Sequence, residues 1–180
     1  MLRIEIPLGP EEWDDDKEEF VAPKTQVLYL EHSLLSLSKW ESRWCKPYLS
    51  SEKTDEETLD YIKCMTVTQN VDPDVYNHLT NANVMEIKNY IDAPMTAIKF
   101  PKDRASKFSK EVVTSDIIYY WMVALQIPSE FQKWHLNRLI ALIRVCDIKN
   151  SPPKKKSQRE IMAEYARLNA ERRKQLNTKG

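Results

Sequence analysis

The chain predicts a mainly α (α+β) fold. It reads as a multi-helix domain over residues 1–150, opened by a small N-terminal antiparallel β-ribbon, with a C-terminal helical extension over 151–180. Three observations predict it. The only glycines are Gly9 and Gly180, so a sheet of many tight hairpins is not built here. The longest apolar-rich stretch, 114–150, has helical rather than alternating spacing. Strict alternation is confined to two short segments near the start.

The first of these is 1–7. Leu2, Ile4 and Ile6 fall on one side and Arg3 and Glu5 on the other, as in a half-buried strand. Residues 8–19 read as an acidic loop after Gly9 and Pro10. Residues 25–31 alternate again, with Val27 and Tyr29 opposite Leu28 and Leu30, and pair with the first strand. Two strands alone are marginal, so the ribbon must lie on helices.

Residues 33–45 read as the first helix, with Leu34, Leu37, Trp40, Glu41 and Trp44 at three/four spacing and Pro47 beyond its end. Thr54 and Glu57 form a capping box for a helix over 55–67, in which Leu59, Ile62, Cys64 and Met65 face inward. Asp72-Pro73-Asp74 starts a short turn carrying Val75, Tyr76 and Leu79. Asn81 or Asn83 caps a helix that runs to Ile91 with Val84, Ile87 and Tyr90 on its apolar side. Residues 92–110, with Pro94, Pro101 and the run KFPKDRASKFSK, read as an exposed connection.

Pro128 splits the stretch 114–150 into two helices, 114–127 and 129–148, because an internal proline removes a helical hydrogen bond. Thr114, Ser115 or Asp116 caps the first; Ser129 and Glu130 start the second. The second is apolar almost all round, leaving Lys133, Asn137 and Arg144 as a narrow polar strip, so it is read as buried or at an interface. Lys133, Arg138 and Arg144 interrupt it too often for a membrane span. Ser151-Pro152-Pro153 and three lysines then form a stiff spacer. Ser157 with Glu160 can cap a last helix to Leu176, whose stripe is Ile161, Tyr165, Leu168, Arg172 and Leu176.

The formal net charge is +0, which argues against a protein built mainly to hold nucleic acid by counterion release. The charge is nevertheless polarised. Residues 11–19 hold seven carboxylates against Lys17, and residues 151–180 hold nine cations against three glutamates. Opposite ends of this kind can join copies head to tail, and a homo-oligomer is expected. Cys45, Cys64 and Cys146 form no CxxC pair and read as free buried thiols in a reducing compartment. No charged-then-apolar leader opens the chain, so secretion is not expected.

Chemistry has little to build on. His32, His78 and His135 lack a ligand at helical spacing, the acidic run lacks the pattern of a calcium loop, and no glycine-rich loop can cradle a phosphate. No catalytic residue, metal or cofactor is therefore assigned. Glu31-His32-Ser33 sets three catalytic residue types side by side, but neighbours point apart, and Ser33 reads as a helix cap. His135 reads as a packed or partner-contacting histidine. Tyr120, Trp121, Phe131 and Trp134 are core material or, where exposed, the stuff of interface hot spots. With His135 and the stripe Ile161, Tyr165, Leu168, Arg172 and Leu176 they form the candidate partner-binding set.

Four segments carry a resemblance: LEHSLLSLSKWESRWCKPYL, TDEETLDYIKCMT, IIYYWMVALQIPSEFQKWHLNRLIALIRVC and NSPPKKKSQREI. Over nearly its whole length the chain resembles the tail assembly chaperones of bacteriophages with long non-contractile tails. The resemblance implies a mostly helical, non-enzymatic factor in the host cytoplasm. Such a factor binds the tape-measure protein during tail morphogenesis and is absent from the mature virion. In relatives a frameshifted longer product recruits the tail-tube subunit. Two other readings are a structural virion or tail connector protein and a nucleic-acid-binding packaging or regulatory factor.

Overall fold

Leu2–Pro7 (β1) pairs antiparallel with Thr25–Leu30 (β4), with Leu2 opposite Leu30 and Pro7 opposite Thr25. The architecture is that of a computed structural model. It describes residues 1–9, 12–14, 19–21, 23–100, 112–150 and 158–176. The alternation has its expected result: Ile4, Ile6, Leu28 and Leu30 are buried, and Leu2 is half-buried. The acidic segment differs from the loop expected over 8–19. Glu12–Asp14 (β2) and Glu19–Val21 (β3), which lie between β1 and β4 in sequence, form a second, separate antiparallel pair. The bend joining them lies outside the described residues.

Both strands of the β1–β4 ribbon exchange hydrogen bonds with other segments. After the second helix the chain runs back along β4: Val67 N–H donates to Tyr29 O (2.8 Å), and Glu31 N–H to Met65 O (2.9 Å). On the β1 side, Asn83 Nδ2 donates to Glu5 O at 3.1 Å.

Leu34–Trp44 (α1) starts at Ser33, whose Oγ accepts from Ser36 N–H, and ends at Cys45 in the left-handed region (φ 50°). Asp55–Met65 (α2) has the expected capping box: Glu57 N–H donates to Thr54 Oγ1 (3.2 Å), and Thr54 N–H to Glu57 Oε2 (2.9 Å). The helix stops two residues earlier than expected. α1 and α2 share an aromatic and polar seam. Tyr48 stacks on Tyr61 at 3.9 Å, and Trp40 meets Tyr48 edge-on at 5.1 Å. Trp40 Nε1 donates to Glu57 O and Trp44 Nε1 to Asp60 Oδ2, while Arg43 and Lys46 pair with Asp60 and Glu57. The buried carboxylates are thus hydrogen-bonded, as burial requires. The Lys46 ammonium, first among several causes, holds the Glu57 carboxyl below its usual range.

A 3-10 turn, Pro73–His78, leads to Asn81–Asp92 (α3). The cap of α3 is Thr80, not Asn81 or Asn83: Thr80 and Asn83 form a reciprocal box. Asn83 is its N3 member, an amide in the place where Glu or Gln is usual.

The largest correction falls on 114–148. Ser115–Ala124 (α4) ends before Pro128, through a left-handed Gln126 (φ 55°). Ile127 N–H donates to Met122 O and Gln126 N–H to Val123 O, which closes the helix by a Schellman-type turn. Residues 129–148 do not form the single helix expected. A 3-10 turn, Ser129–Lys133, comes first, then extended backbone, then Leu136–Asn150 (α5). The break is held by pairing with the segment before α1: His135 forms an antiparallel bridge with Ser33, and Leu136 N–H donates to His32 O at 2.7 Å. None of Thr114, Ser115 or Asp116 supplies a side-chain cap to α4. Glu41 of α1 does, with Oε2 accepting Ser115 N–H at 2.6 Å.

The core lies where β1, β4, α1, α2, α4 and α5 meet, with Leu30, Leu34, Leu37, Trp40, Ile118 and Leu139 wholly buried. Cys64 is buried and Cys146 half-buried, but Cys45 is exposed at its left-handed cap, against the expectation of three buried thiols. The chain divides into two compact units, Met1–Asp147 and Ile148–Gly180. The second contains Gln158–Leu176 (α6), which ends at the expected residue. The spacer 151–156 and the proposed cap Ser157 lie outside the described residues.

Candidate partner-binding surface

Helix α4 keeps Ile118 and Met122 buried and turns Tyr120 and Val123 outward, at 68% and 77% exposure. Its neighbours Tyr119 and Trp121 are half-buried against the core. Two large apolar side chains in water on one short helix make a local apolar face. Tyr119 Oη donates to Gln132 Oε1 (2.9 Å), which ties this helix to the 3-10 turn.

That turn sets up the second feature. Phe131 and Trp134 stack with ring centroids 4.0 Å apart, and the Arg138 guanidinium lies 4.0 Å from the Trp134 ring centre. The spacing 131, 134, 138 would bring three residues together on a regular helix. Here the first two lie before α5 and the third on it, so the break is what shapes the tier. Phe131 and Trp134 are both half-buried.

His135 is largely buried, at 7% exposure, and reaches the surface only where it lines a cleft beside Trp134. Its Nε2 lies 3.0 Å from Tyr90 O and its Nδ1 3.3 Å from Asn137 N. Both contacts are satisfied together when Nε2 carries the proton and Nδ1 accepts. Its ring meets His32 edge-on at 5.1 Å, and His32 Nδ1 lies 2.6 Å from Tyr61 Oη. Burial lowers both imidazoles, His32 to about 3. His135 and Asn137 also solve a backbone problem. Helix α3 ends without a glycine or a basic side chain, and its last carbonyls need donors. Asn137 Nδ2 donates to Ile91 O (2.9 Å) and Ala93 O (2.8 Å), beside the His135 contact to Tyr90 O.

Beside this clamp a cleft of about 320 Å³ opens, lined by Met1, Glu31, Tyr90, Met95, Lys133, Trp134, His135 and Arg138. Glu31 accepts from the Met1 ammonium (2.9 Å) and from Tyr90 Oη (2.7 Å). Of the lining residues, Trp134 and His135 belong to the partner-binding set expected from the sequence, and Lys133 to the polar strip of its helix; Met95, Tyr90 and Arg138 were not singled out as candidates. The W-x3-R spacing of Trp134 and Arg138 is the signal that could have found the latter.

The remaining candidates, Ile161, Tyr165, Leu168, Arg172 and Leu176, all lie on α6 and are all exposed, as is Met162 beside them. The structure therefore groups Phe131 with Trp134, sets Tyr120 on the outer side of α4, and keeps the α6 stripe within its own unit. Among the described residues no cluster of three His, Cys, Asp or Glu side chains could hold a metal ion, and no helix is long and apolar enough to cross a membrane. Compared with descriptions of protein families, with curated proteins and with solved structures, the chain finds no match.

Proposed function

We propose that this protein is a non-enzymatic tail assembly chaperone, which holds the tape-measure protein of a long-tailed bacteriophage in the host cytoplasm until the tail is built. The resemblance over residues 30–49, 54–66, 117–146 and 150–161 supports the reading. The observation that carries it is α6. Along this 19-residue helix Ile161, Met162, Tyr165, Leu168 and Leu176 stand in water, with Tyr165 at 64% exposure. A helix of this length gains little stability by itself, and an apolar stripe flanked by charge suits docking on another apolar helix. The outward Tyr120 and Val123 extend the apolar surface on offer. Several copies along one rod are part of the proposal, as is recruitment of the tail-tube subunit by a frameshifted longer product.

Co-expression with the tape-measure protein tests it. The full chain is expected to raise the soluble yield of tape-measure protein, and a chain truncated after Asn150 to lose most of that effect. Equal yields with and without the full chain sink the proposal. A shift of DNA at low salt by the tail from Lys154 to Lys179 favours a nucleic-acid-binding factor instead. The chain in purified particles, read by mass spectrometry, favours a virion component.

A further inference from the structure

The cleft beside Trp134 carries charge that the described residues leave unanswered. Glu31 is balanced by the Met1 ammonium and hydrogen-bonded by Tyr90. Lys133 and Arg138, both exposed, have no hydrogen bond or ion pair with any described residue. Arg138 is instead positioned by its contact with the Trp134 ring. A cation–π contact uses the charge over the ring face and spends none of the guanidinium N–H donors. Those donors, and the Lys133 ammonium, border the same cleft.

Met95, which lines the same cleft, is held there by a fixed backbone. Met95 sits in the left-handed region (φ 47°), a conformation that costs a non-glycine residue energy. The two bonds from Asn137 to Ile91 O and Ala93 O fix the segment that presents it. The Met95 side chain is left 40% exposed at the rim. The cleft thus pairs an apolar rim of Met95 and Trp134 with two cations that no described residue pairs.

We propose that this cleft receives an acidic side chain of the bound polypeptide. The carboxylate lies between Lys133 and Arg138, and an apolar neighbour from the same partner rests on Met95 and Trp134. A charge-assisted bond to arginine is strong and directional, so the cleft sets the register of an otherwise non-directional apolar contact. The proposal rests on the reading of the protein as a polypeptide binder and names the chemistry it selects.

The test uses the full chain and two capped peptides, acetyl-Leu-Ala-Glu-Ala-Leu-amide and its Gln counterpart, in a 1H–15N NMR titration. The Glu peptide is expected to move the Trp134 indole and Arg138 Nε–H signals and to bind about five- to tenfold more tightly than the Gln peptide, since ionised hydrogen bonds are about twice as strong as neutral ones. Lys133→Gln and Arg138→Gln, both at exposed positions, should each erase most of that difference without altering the thermal transition. Equal binding of the two peptides, or shifts confined to other parts of the surface, overturns the proposal. So does tighter binding of inorganic phosphate, which would make the cleft a site for free anions. Co-expression separates this from the function itself. If both cation variants recover tape-measure protein as wild type does, the cleft proposal fails and the chaperone stands. If wild type recovers none, the chaperone fails and the peptide titration still decides the cleft.

Discussion

Glu41 shows how one polar side chain can hold three elements. It occupies the apolar stripe of α1, where a carboxylate is out of place by pattern alone. Its Oε1 accepts Tyr48 N–H at 2.8 Å and its Oε2 accepts Ser115 N–H at 2.6 Å, so it secures the loop after α1 and the start of α4. Glu41→Ala leaves two backbone donors without their acceptor. It should lower stability by about 2–4 kcal/mol in urea denaturation, because each unsatisfied donor costs roughly 1–3 kcal/mol. Glu41→Gln, which keeps one acceptor oxygen, should cost clearly less. The buried histidines make a different prediction. His32 is lowered to about 3 in the folded chain, by burial first and by His135 second. Between its ordinary range near 6.5 and that value the unfolded chain binds a proton that the folded chain refuses. Stability is therefore full above pH 6.5 and falls as the pH drops, by roughly 1.4 kcal/mol per pH unit for this one group. Burial also lowers His135, which adds to the same slope. The lowered carboxyl of Glu57 destabilises on protonation only at more acid pH. Chemical denaturation from pH 7 to 5 should show the fall, and His32→Gln should flatten it by about one proton. A slope unchanged in the variant would remove His32 from the account.

At the scale of elements, the capping rules worked where donor and acceptor are close in sequence. Thr54 with Glu57 is such a case, and so is the ribbon, whose alternation encodes its buried face. They failed where a partner comes from far away. Nothing near Thr114 announces that Glu41 will cap α4, and nothing near His135 announces that Ser33 will pair with it and break the helix expected over 129–148. A 3.6-residue pattern continues through Trp134 and His135 even though the backbone does not. The candidate surface was legible to the same extent. Its aromatic and stripe residues could be named from spacing, but the burial of His135 and the cleft around Arg138 depend on tertiary contacts. Helix ends also expose strain that spacing hides. Cys45 ends α1 with φ 50° and ψ 36°, where a side chain is disfavoured and glycine is at ease. Cys45→Gly should therefore raise stability by about 0.5–1 kcal/mol, the relief of the left-handed strain outweighing the added freedom of the unfolded chain. A lower denaturation midpoint in the variant would show that the thiol itself contributes to packing at that cap.

For the whole molecule, the division of labour between the two units decides how cleanly function can be tested. Every buried apolar residue described lies at or before Ile143, while every side chain described on α6 is exposed. Cooperative stability scales with buried apolar area, and the buried apolar residues described all lie within Met1–Asp147. Removing residues 151–180 takes away nine cations and three glutamates and leaves α5 whole to Asn150. The truncated chain should keep a single thermal transition within about 2 °C of the full chain, a shift that corresponds to about 0.5–1 kcal/mol for a domain of this size. Its helical signal should fall only by the share of α6. A truncated chain that unfolds near its parent but no longer keeps tape-measure protein soluble assigns the loss to the α6 surface. A chain that melts much earlier shows instead that residues 151–180 stabilise the rest, and the α6 stripe is then committed to its own protein before any partner arrives.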